Sequence, residues 1–247
     1  MVNQLNAGTS PPNRRADRTR KAILRAAIRE FSAHGLAGAR TDAIAESAKV
    51  NKALLYYYFK SKRGLYAAAL EEVSAAAVER ALAVFEPGRS AGDRLLRTAL
   101  THFDRVLTQR DFQSLLQQEM VRLRCGQTDW PSSLVKRVFQ PLLGKLEEAI
   151  HEGIESGELC PIDWLQVVYS ALGANVFYFL SAPMMRLVLP RDPMDRTAIE
   201  SRRKTSVQFL ANALFVDRAH GASLAKRVLA DMPMPTVSNM RVWRKVL

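Results

Sequence analysis

The sequence "TDAIAESAKVNKALLYYYFKSKRGLY", Thr41–Tyr66, determines the fold of the N-terminal part of the chain. Its apolar residues recur at helical spacing in two short runs. Ile44 and Ala45 begin the stripe of the first run, while Leu55 and Phe59, four positions apart, supply the inward positions of the second. Two very short helices joined by a tight turn are therefore predicted, which is a helix-turn-helix.

Residues that can cap a helix stand at the start of both runs. Thr41 is predicted as the N-cap of the first helix and Asn51 as the N-cap of the second, because their side-chain oxygens can accept hydrogen bonds from the first helical turn. Asp42 adds a negative charge in the first turn, where it suits the helix dipole.

The second run contains three consecutive tyrosines, Tyr56, Tyr57 and Tyr58. They cover most of a helical turn, so at least one or two of them must face solvent, where a phenol hydroxyl can donate to a phosphate oxygen. A core position with an internally bonded hydroxyl is the alternative for Tyr56. Lys52 can reach a guanine edge or a phosphate, and Leu54 can contact a thymine methyl. These residue types indicate a helix that reads the major groove of DNA.

Helical patterns continue on both sides of this segment. Ile23, Ala27 and Phe31 recur every four positions in a helix predicted over residues 19–34, with Gly35 as its C-terminal cap. Proline and glycine clusters separate further predicted helices, over residues 65–85, 91–108, 111–124, 132–156, 163–180 and 197–216. The chain shows no alternating strand pattern of useful length, so the predicted fold class is all-α.

Basic residues are concentrated at the two ends of the chain. The 247 residues carry a formal net charge of +12, divided as +9 on residues 1–63, −2 on residues 64–217 and +5 on residues 218–247. A basic domain implies a polyanionic partner, either nucleic acid or an anionic membrane, and the tyrosine cluster favours DNA. The predicted organisation is a flexible basic arm (1–16), a helix-turn-helix domain (17–64), a larger helical body (65–217) and a basic C-terminal tail (218–247).

Other classes of protein are disfavoured. Hydrophobic residues make up 48% of the chain, as in an ordinary globular protein. Cys125 and Cys160 are too few for a disulfide framework, and the first thirteen residues lack an apolar signal region, so a cytoplasmic location is predicted. The uncharged stretch 164–185 is long enough to span a membrane, but polar residues and Pro183 interrupt it. We interpret it as a buried or interface helix.

Catalytic and metal-binding patterns are weak. The four histidines are scattered, and no nucleophile, phosphate-binding loop or Cys/His metal spacing accompanies them. Glu147, Glu148, His151 and Glu155 share one helix face, which is more often a solvated charged face than a metal site. We predict no enzymatic activity, no metal and no cofactor.

The segment Thr41–Tyr66 resembles the N-terminal DNA-binding region of TetR-type (TetR/AcrR) transcriptional regulators. The shared pattern is a Thr, an Ile-Ala pair, a tight turn, a short helix ending Leu-Tyr-x-x-Phe, and a Ser-Lys. The resemblance implies an N-terminal three-helix domain followed by a larger helical domain for ligand binding and dimerisation. Two positions depart from the pattern. Lys49 replaces a turn glycine, so a left-handed backbone there would be strained and other dihedrals are expected, and Arg63-Gly64 replaces an acidic residue.

The resemblance also implies which residues contact DNA. The positions that match phosphate contacts are Thr41, Tyr56, Tyr57 and Lys62. The positions that match the base-reading face are Lys52 and Leu54. Arg40, directly before Thr41, is also predicted to contact DNA. Four arginines before the first helix are either a minor-groove arm or a solvated tail: Arg14, Arg15, Arg18 and Arg20.

The larger body is predicted to form a homodimer and to bind a small-molecule effector. A dimer reads two operator half-sites about 34–36 Å apart. The predicted interface consists of the uncharged helix and the helix over residues 197–216, because a solvent-exposed helix would not tolerate the apolar residues of the first: Val167, Val168, Leu172, Val176, Phe177 and Leu180. The candidate ligand contacts are large or polar-tipped residues in apolar surroundings, with plain core packing as the alternative for each: His102, Phe103, Trp130, Asn175, Tyr178 and Met184.

Together these features predict a sequence-specific DNA-binding transcriptional regulator. It is expected to be a ligand-responsive repressor that binds a palindromic double-stranded operator as a dimer, in the cytoplasm and associated with the nucleoid, without a membrane partner. The alternative is a non-specific or architectural DNA-binding protein, in which the basic regions act through phosphates alone. A membrane-associated or catalytic helical protein is the third hypothesis.

Overall fold

The computed structural model describes residues 11–128 and 132–236, and this part of the chain contains ten α-helices. They are α1 (Pro11–Gly38), α2 (Thr41–Ser47), α3 (Lys52–Phe59), α4 (Lys62–Leu82), α5 (Ala91–Thr108), α6 (Arg110–Arg124), α7 (Ser132–Glu155), α8 (Trp164–Val188), α9 (Arg196–Leu214) and α10 (Arg218–Asp231). No β-strand is found in these residues, where an isolated antiparallel bridge joins Leu159 to Phe215. The prediction of an all-α fold is confirmed.

The chain divides into two compact units. The first comprises the chain up to Ala75 together with Asp111–Leu134, and the second comprises Ala76–Arg110 together with the chain from Val135. The boundary at Ala75 falls inside α4, so this helix contributes residues to both units.

The core of the first unit is built around α1. Ile23 and Phe31 are fully buried, as their spacing on one helix face predicts. The Phe31 ring packs edge-on against Tyr66, with the ring centroids 5.0 Å apart, and the Tyr66 hydroxyl donates to Glu119 Oε2 at 3.1 Å. This aromatic pair and buried hydrogen bond connect α1, α4 and α6.

Five helices, α5, α7, α8, α9 and α10, contribute to the main core of the second unit. Leu96 and Leu100 of α5 are fully buried, and α5 contacts α8, α9 and α10. Val207 of α9 and Val228 of α10 belong to the same cluster. Full burial of one such side chain contributes roughly 1.5–3 kcal/mol, so this core holds the five helices together.

Two terminal segments differ from the sequence-based expectations. Because α1 begins at Pro11, residues 11–16 of the predicted flexible arm are helical. Residues 218–247 were expected to form a basic tail, but α10 occupies the first part of that segment. Leu224 and Val228 lie four positions apart on α10 and are buried in the second core, which explains why the segment folds. The remaining residues, 237–247, lie outside the described part.

Helix α8 is longer than predicted, because it continues through Pro183 to Val188. A proline inside a helix removes one backbone hydrogen bond and disfavours the turn before it. Here Phe179 and Ala182 are buried together with Phe103, and this packing offsets the loss.

Candidate DNA-binding surface and ligand cavity

The turn between α2 and α3 keeps a left-handed residue although that residue is a lysine. Lys49 has φ 56°, and the turn closes with hydrogen bonds from Lys49 N to Glu46 O and from Val50 N to Ala45 O, both 3.0 Å. This pair of bonds is the usual Schellman ending of a helix. The expectation that lysine would change the turn dihedrals is therefore wrong, since these hydrogen bonds hold Lys49 in a conformation that costs a non-glycine residue about 1–2 kcal/mol.

Helix α3 is fixed at its start and along its inner face. The Asn51 side chain accepts a hydrogen bond from Leu54 N at 2.7 Å, so its predicted capping role is confirmed. Leu55 and Phe59 are buried, as predicted. A Cβ on Gly64 would lie 2.3 Å from the Phe59 carbonyl oxygen, so glycine allows α4 to start close to the end of α3.

The three tyrosines of α3 have different surroundings. Tyr57 is 69% exposed, Tyr56 is 36% exposed and Tyr58 is half-buried. The Tyr57 and Tyr58 rings meet edge-on at 5.3 Å. The Tyr56 Oη lies 3.4 Å from Thr41 Oγ1, so Tyr56 combines an internal polar contact with an exposed edge. Tyr57 is thus the tyrosine most available to a phosphate.

Thr41 is the first residue of α2 and not its N-cap. The N-cap position is Arg40, whose side chain makes no capping bond, and the Arg40 N–H donates to Glu30 Oε1 of α1 at 2.9 Å. The predicted capping role of Thr41 is wrong, because its side chain is buried and its hydroxyl faces Tyr56. Arg40 is exposed beside it.

Lys52, predicted to read a base, and Lys62, predicted to bind a phosphate, each form a polar contact within the chain. Lys52 Nζ lies 2.9 Å from Asp42 Oδ1, and the hydrogen bond from Lys52 lowers the pKa of the Asp42 carboxyl. Both side chains are exposed, so this pair is weak and Lys52 can exchange it for a phosphate or a base edge. Lys62 Nζ donates to Ala37 O at the end of α1, at 3.1 Å. Leu54 is half-buried at the start of α3.

Lys60 belongs to this surface although its sequence position did not single it out. It is exposed directly after α3, with φ 63°, and its Nζ lies 5.6 Å from the centre of the Tyr57 ring. The same Nζ donates to Tyr57 O at 3.1 Å. The sequence signal that could have identified Lys60 is its position three residues after Tyr57, where a cation can reach the face of an aromatic ring at the end of a helix.

The four arginines that were predicted to precede the first helix are part of that helix. Arg14, Arg15, Arg18 and Arg20 all lie within α1 with exposed side chains. The Arg20 guanidinium stacks over the Phe59 ring at 5.4 Å, so it is held against the end of α3. The expectation that these four residues precede the first helix is wrong, because α1 starts before them.

The second unit contains a cavity of about 430 Å³, a size typical of small-molecule sites. Every α5 residue that lines it carries a polar side chain: Thr98, Thr101, His102, Asp104, Arg105 and Thr108. Gln109, directly after α5, adds another. The α7 and α8 residues that line it are all apolar: Phe139, Leu142, Leu143, Leu146 and Leu172. The recurrence of polar residues at positions 98, 101, 102, 105 and 108 on one face of α5 was a sequence signal for this wall.

The cavity includes His102 but not the other described candidates for ligand contact. Phe103 is fully buried in a separate cluster with Phe179, and the Tyr178 hydroxyl donates to Pro193 O. Met184 is exposed on the surface of α8. Trp130 lies outside the described residues.

His102 is held in one tautomer by Asn175. Asn175 Nδ2 donates to Ala99 O at 3.1 Å and lies 3.4 Å from His102 Nδ1. The amide nitrogen of Asn175 can only donate hydrogen bonds, so Nδ1 of the neutral His102 ring is the acceptor. The ring proton is therefore on Nε2. Burial lowers the pKa of His102 to about 3, and the positive charge of Arg105 adds to this effect. His102 therefore presents a neutral N–H donor.

An exposed apolar stripe runs along α8. From Phe177 to Leu187 its members recur every three or four residues, and Val188 directly follows: Tyr169, Phe177, Leu180, Met184, Leu187 and Val188. Phe209 of α9 is also exposed, and Arg202 of α9 donates to Ala174 O of α8 at 3.1 Å, so the two helices are neighbours here. Among the described helices, α8 is the one that is long and apolar enough to cross a membrane.

Family models cover both units of the chain. Residues 23–69 match the model described as "Bacterial regulatory proteins, tetR family". Residues 69–210, more than half of the chain, match the model described as "Tetracyclin repressor-like, C-terminal domain". The chain belongs to the tetR family.

Curated members of the tetR family are similar over different lengths. The regulator RutR of Escherichia coli K12 is 30% identical over 189 residues, which cover 73% of this chain and 82% of RutR. The repressor NicS of Pseudomonas putida is 47% identical over 60 residues, which cover 24% of this chain and 28% of NicS. The repressor SCO4008 of Streptomyces coelicolor also matches over only 28% of its own length.

Solved structures share the fold at low identity. A gamma-butyrolactone receptor (ArpA-like protein) superposes with a TM-score of 0.65 at 19% identity, covering 88% of this chain and all of that structure. A regulator from Saccharomonospora viridis in complex with choline has a TM-score of 0.66 at 18% identity, covering 81% of this chain and all of that structure.

The buried His102 makes the stability of this tetR-family protein depend on pH. The unfolded chain protonates His102 near its ordinary pKa of 6.5, whereas the folded chain does so only near 3. The free energy of unfolding should therefore fall as the pH drops below 6.5, by up to about 1.4 kcal/mol per pH unit from this group. In His102→Gln, the loss between pH 7.5 and pH 4.5 should be smaller by roughly 2–3 kcal/mol, as measured by urea unfolding.

The control for this prediction is His151→Gln, which removes an exposed histidine of α7. Its pH dependence should match that of the wild type. An equal loss of stability in acid for His102→Gln and the wild type would show that His102 does not carry this effect.

Proposed function

We propose that this tetR-family protein is a sequence-specific DNA-binding transcriptional regulator. In this proposal it binds a palindromic operator as a homodimer, represses transcription, and releases the operator when a small molecule occupies the cavity of the second unit. Its place of action is the nucleoid of the cytoplasm. The names of NicS and SCO4008, both transcriptional repressors, support repression.

The exposed face of α3 is the observation that carries the DNA-binding proposal. Tyr57, Lys52 and Lys60 are exposed together on this short helix and its end, while Leu55 and Phe59 secure it to the core. A helix anchored on one side, with tyrosine and lysine on the other, suits insertion into the major groove, with the phenol and ammonium groups on phosphates.

Two further features support repression through a dimer that responds to a ligand. The apolar stripe of α8 and Phe209 of α9 offer a self-complementary surface for a second copy of the chain. The gamma-butyrolactone receptor and the choline-bound regulator share the fold and, by their descriptions, take small molecules. A coupling of about 1–3 kcal/mol between ligand and operator would lower operator affinity roughly 5- to 150-fold.

The test is a binding titration against DNA from the region upstream of the protein's own gene. Tyr57→Ala and Lys52→Ala should each lower operator affinity at least about tenfold, because each removes a contact to a phosphate or a base. Fluorescence anisotropy at physiological salt measures the effect. Lys145→Ala is the matched control, because Lys145 is as exposed as Lys52 and also pairs with an acidic neighbour, Glu148, but lies on α7.

Competition with unrelated DNA separates this function from non-specific or architectural binding. A sequence-specific regulator should prefer its operator by roughly 10³ or more. Equal affinity for unrelated DNA would favour the architectural alternative, and wild-type affinity in both Tyr57→Ala and Lys52→Ala would show that α3 is not the reading helix.

A further inference from the structure

The cavity of the second unit has one charged wall and one apolar wall. Polar side chains come from α5 and from Arg80 of α4, while α7 and Leu172 of α8 present only apolar side chains to the same space. A ligand that fills both sides must itself have a polar end and an apolar body.

The polar wall of the cavity contains more positively charged than negatively charged side chains. Arg80 and Arg105 supply two guanidinium groups, and Asp104 is the one acidic residue among the described residues that line the cavity. Asp104 accepts two hydrogen bonds from Arg203, from Nε at 2.7 Å and from the terminal nitrogen at 2.8 Å. Its charge is thus balanced by Arg203, and among the described charged side chains that line the cavity two guanidinium groups stand against one carboxylate.

The two arginines already repel each other. Burial lowers the pKa of Arg105 to about 10, and the positive charge of Arg80 adds to this effect. A cationic ligand would increase this repulsion, whereas an anion would reduce it and would form charge-assisted hydrogen bonds. His102 contributes a neutral N–H donor to the same wall, so it can bind an acidic oxygen without adding a third charge.

We infer that the effector is an amphipathic organic anion, whose acidic group binds Arg80, Arg105 and His102 and whose apolar body packs against α7. This inference rests on the proposed function, because it names the class of molecule that would release the operator. The volume of about 430 Å³ suits an organic carboxylate with an aromatic or aliphatic body.

The inference is tested by two series of compounds that differ only at the polar end. They are octanoate, octanamide and octylamine, and phenylacetate, phenylacetamide and phenethylamine. Isothermal titration calorimetry on the full-length protein without DNA measures binding. A carboxylate should bind roughly ten- to hundredfold more tightly than its amide or amine, since the charged hydrogen bonds are made by the carboxylate alone.

Charge-removing variants assign the effect to the two arginines. Arg105→Gln should lose most of the preference for carboxylate, while Arg105→Lys should retain part of it. Arg80→Gln provides a second test with little risk to folding, because Arg80 is exposed. Arg227→Gln is the matched control, because Arg227 is an exposed arginine of α10 away from the cavity lining.

Two results would overturn the inference: amide or amine binding as tight as that of the carboxylate, or no carboxylate binding at millimolar concentration. An unchanged carboxylate preference in both Arg105→Gln and Arg80→Gln would also overturn it. Because calorimetry needs no operator, these failures are distinct from a failure of the DNA-binding proposal, which the anisotropy titration detects separately.

Discussion

Phe177→Asp is expected to leave the protein monomeric and to lower its affinity for a palindromic operator by about 10²–10⁴-fold. In a dimer, the second half-site is bound as an intramolecular step, and this gain is lost when each copy binds alone. Phe177 is 61% exposed in the middle of the apolar stripe of α8, and an aspartate there would place a charge in the interface between two copies. Light scattering after size exclusion measures the mass, and anisotropy measures the affinity.

Val121→Asp is the matched control for this substitution. Val121 is 60% exposed, almost the same as Phe177, but it lies on α6 in the first unit. It should remain dimeric. Phe209→Asp, on the neighbouring helix α9, should reproduce the effect of Phe177→Asp. A dimer that persists in both Phe177→Asp and Phe209→Asp would place the interface on another surface.

The stripe on α8 illustrates what an apolar pattern can predict. Phe177 and Leu180 were expected at an interface because no charged residue accompanies them, and both are exposed on the surface of the chain. Val167 and Val168, on the same helix, were expected at the interface too, but they are buried inside the second unit, so that part of the prediction is wrong. An apolar helix with two apolar faces can be recognised from its composition, but the division between core and surface depends on where α5 packs.

Within the helix-turn-helix, the residues that act locally were predictable. Asn51 caps the helix that it precedes, and Leu55 and Phe59 lie on one face of a single helix. The partners of Thr41, Lys52 and Lys62 are 15, 10 and 25 residues away, in other helices. Such contacts depend on helix packing, so helical periodicity could not predict them.

The cavity was the least predictable part. Size and aromatic character singled out Phe103 and Tyr178, yet large side chains fill a core as readily as they line a site. The polar residues that recur on one face of α5 were the more informative signal, because burying a charged group such as Arg105 is costly and needs a reason.

Arg203→Met is expected to lower the free energy of unfolding by about 3–5 kcal/mol, because it leaves the partner of a buried ion pair uncompensated. Arg203 is 5% exposed, and it donates to Met232 O at 2.8 Å as well as twice to Asp104. It therefore connects α9 with α5 and with the residue that follows α10. Urea unfolding at neutral pH measures the loss, and Arg196→Met, which breaks an exposed pair with Glu200 on the same helix, should stay close to the wild type.

The pH dependence of this variant identifies the cause of its instability. Burial raises the pKa of the Asp104 carboxyl, while the hydrogen bonds and charge of Arg203 oppose that effect, so removal of Arg203 should raise the pKa further. A group with a raised folded-state pKa favours the folded state at low pH and loses that contribution as the pH rises through the folded pKa. The stability of Arg203→Met should therefore be closer to that of the wild type at pH 4.5 than at pH 7.5.

A double variant separates the unpaired charge from lost packing. Arg203→Met/Asp104→Leu should recover most of the lost stability at both pH values, since no buried charge remains. If the double variant is as unstable as Arg203→Met at pH 7.5, lost packing and not the unpaired carboxylate explains the effect.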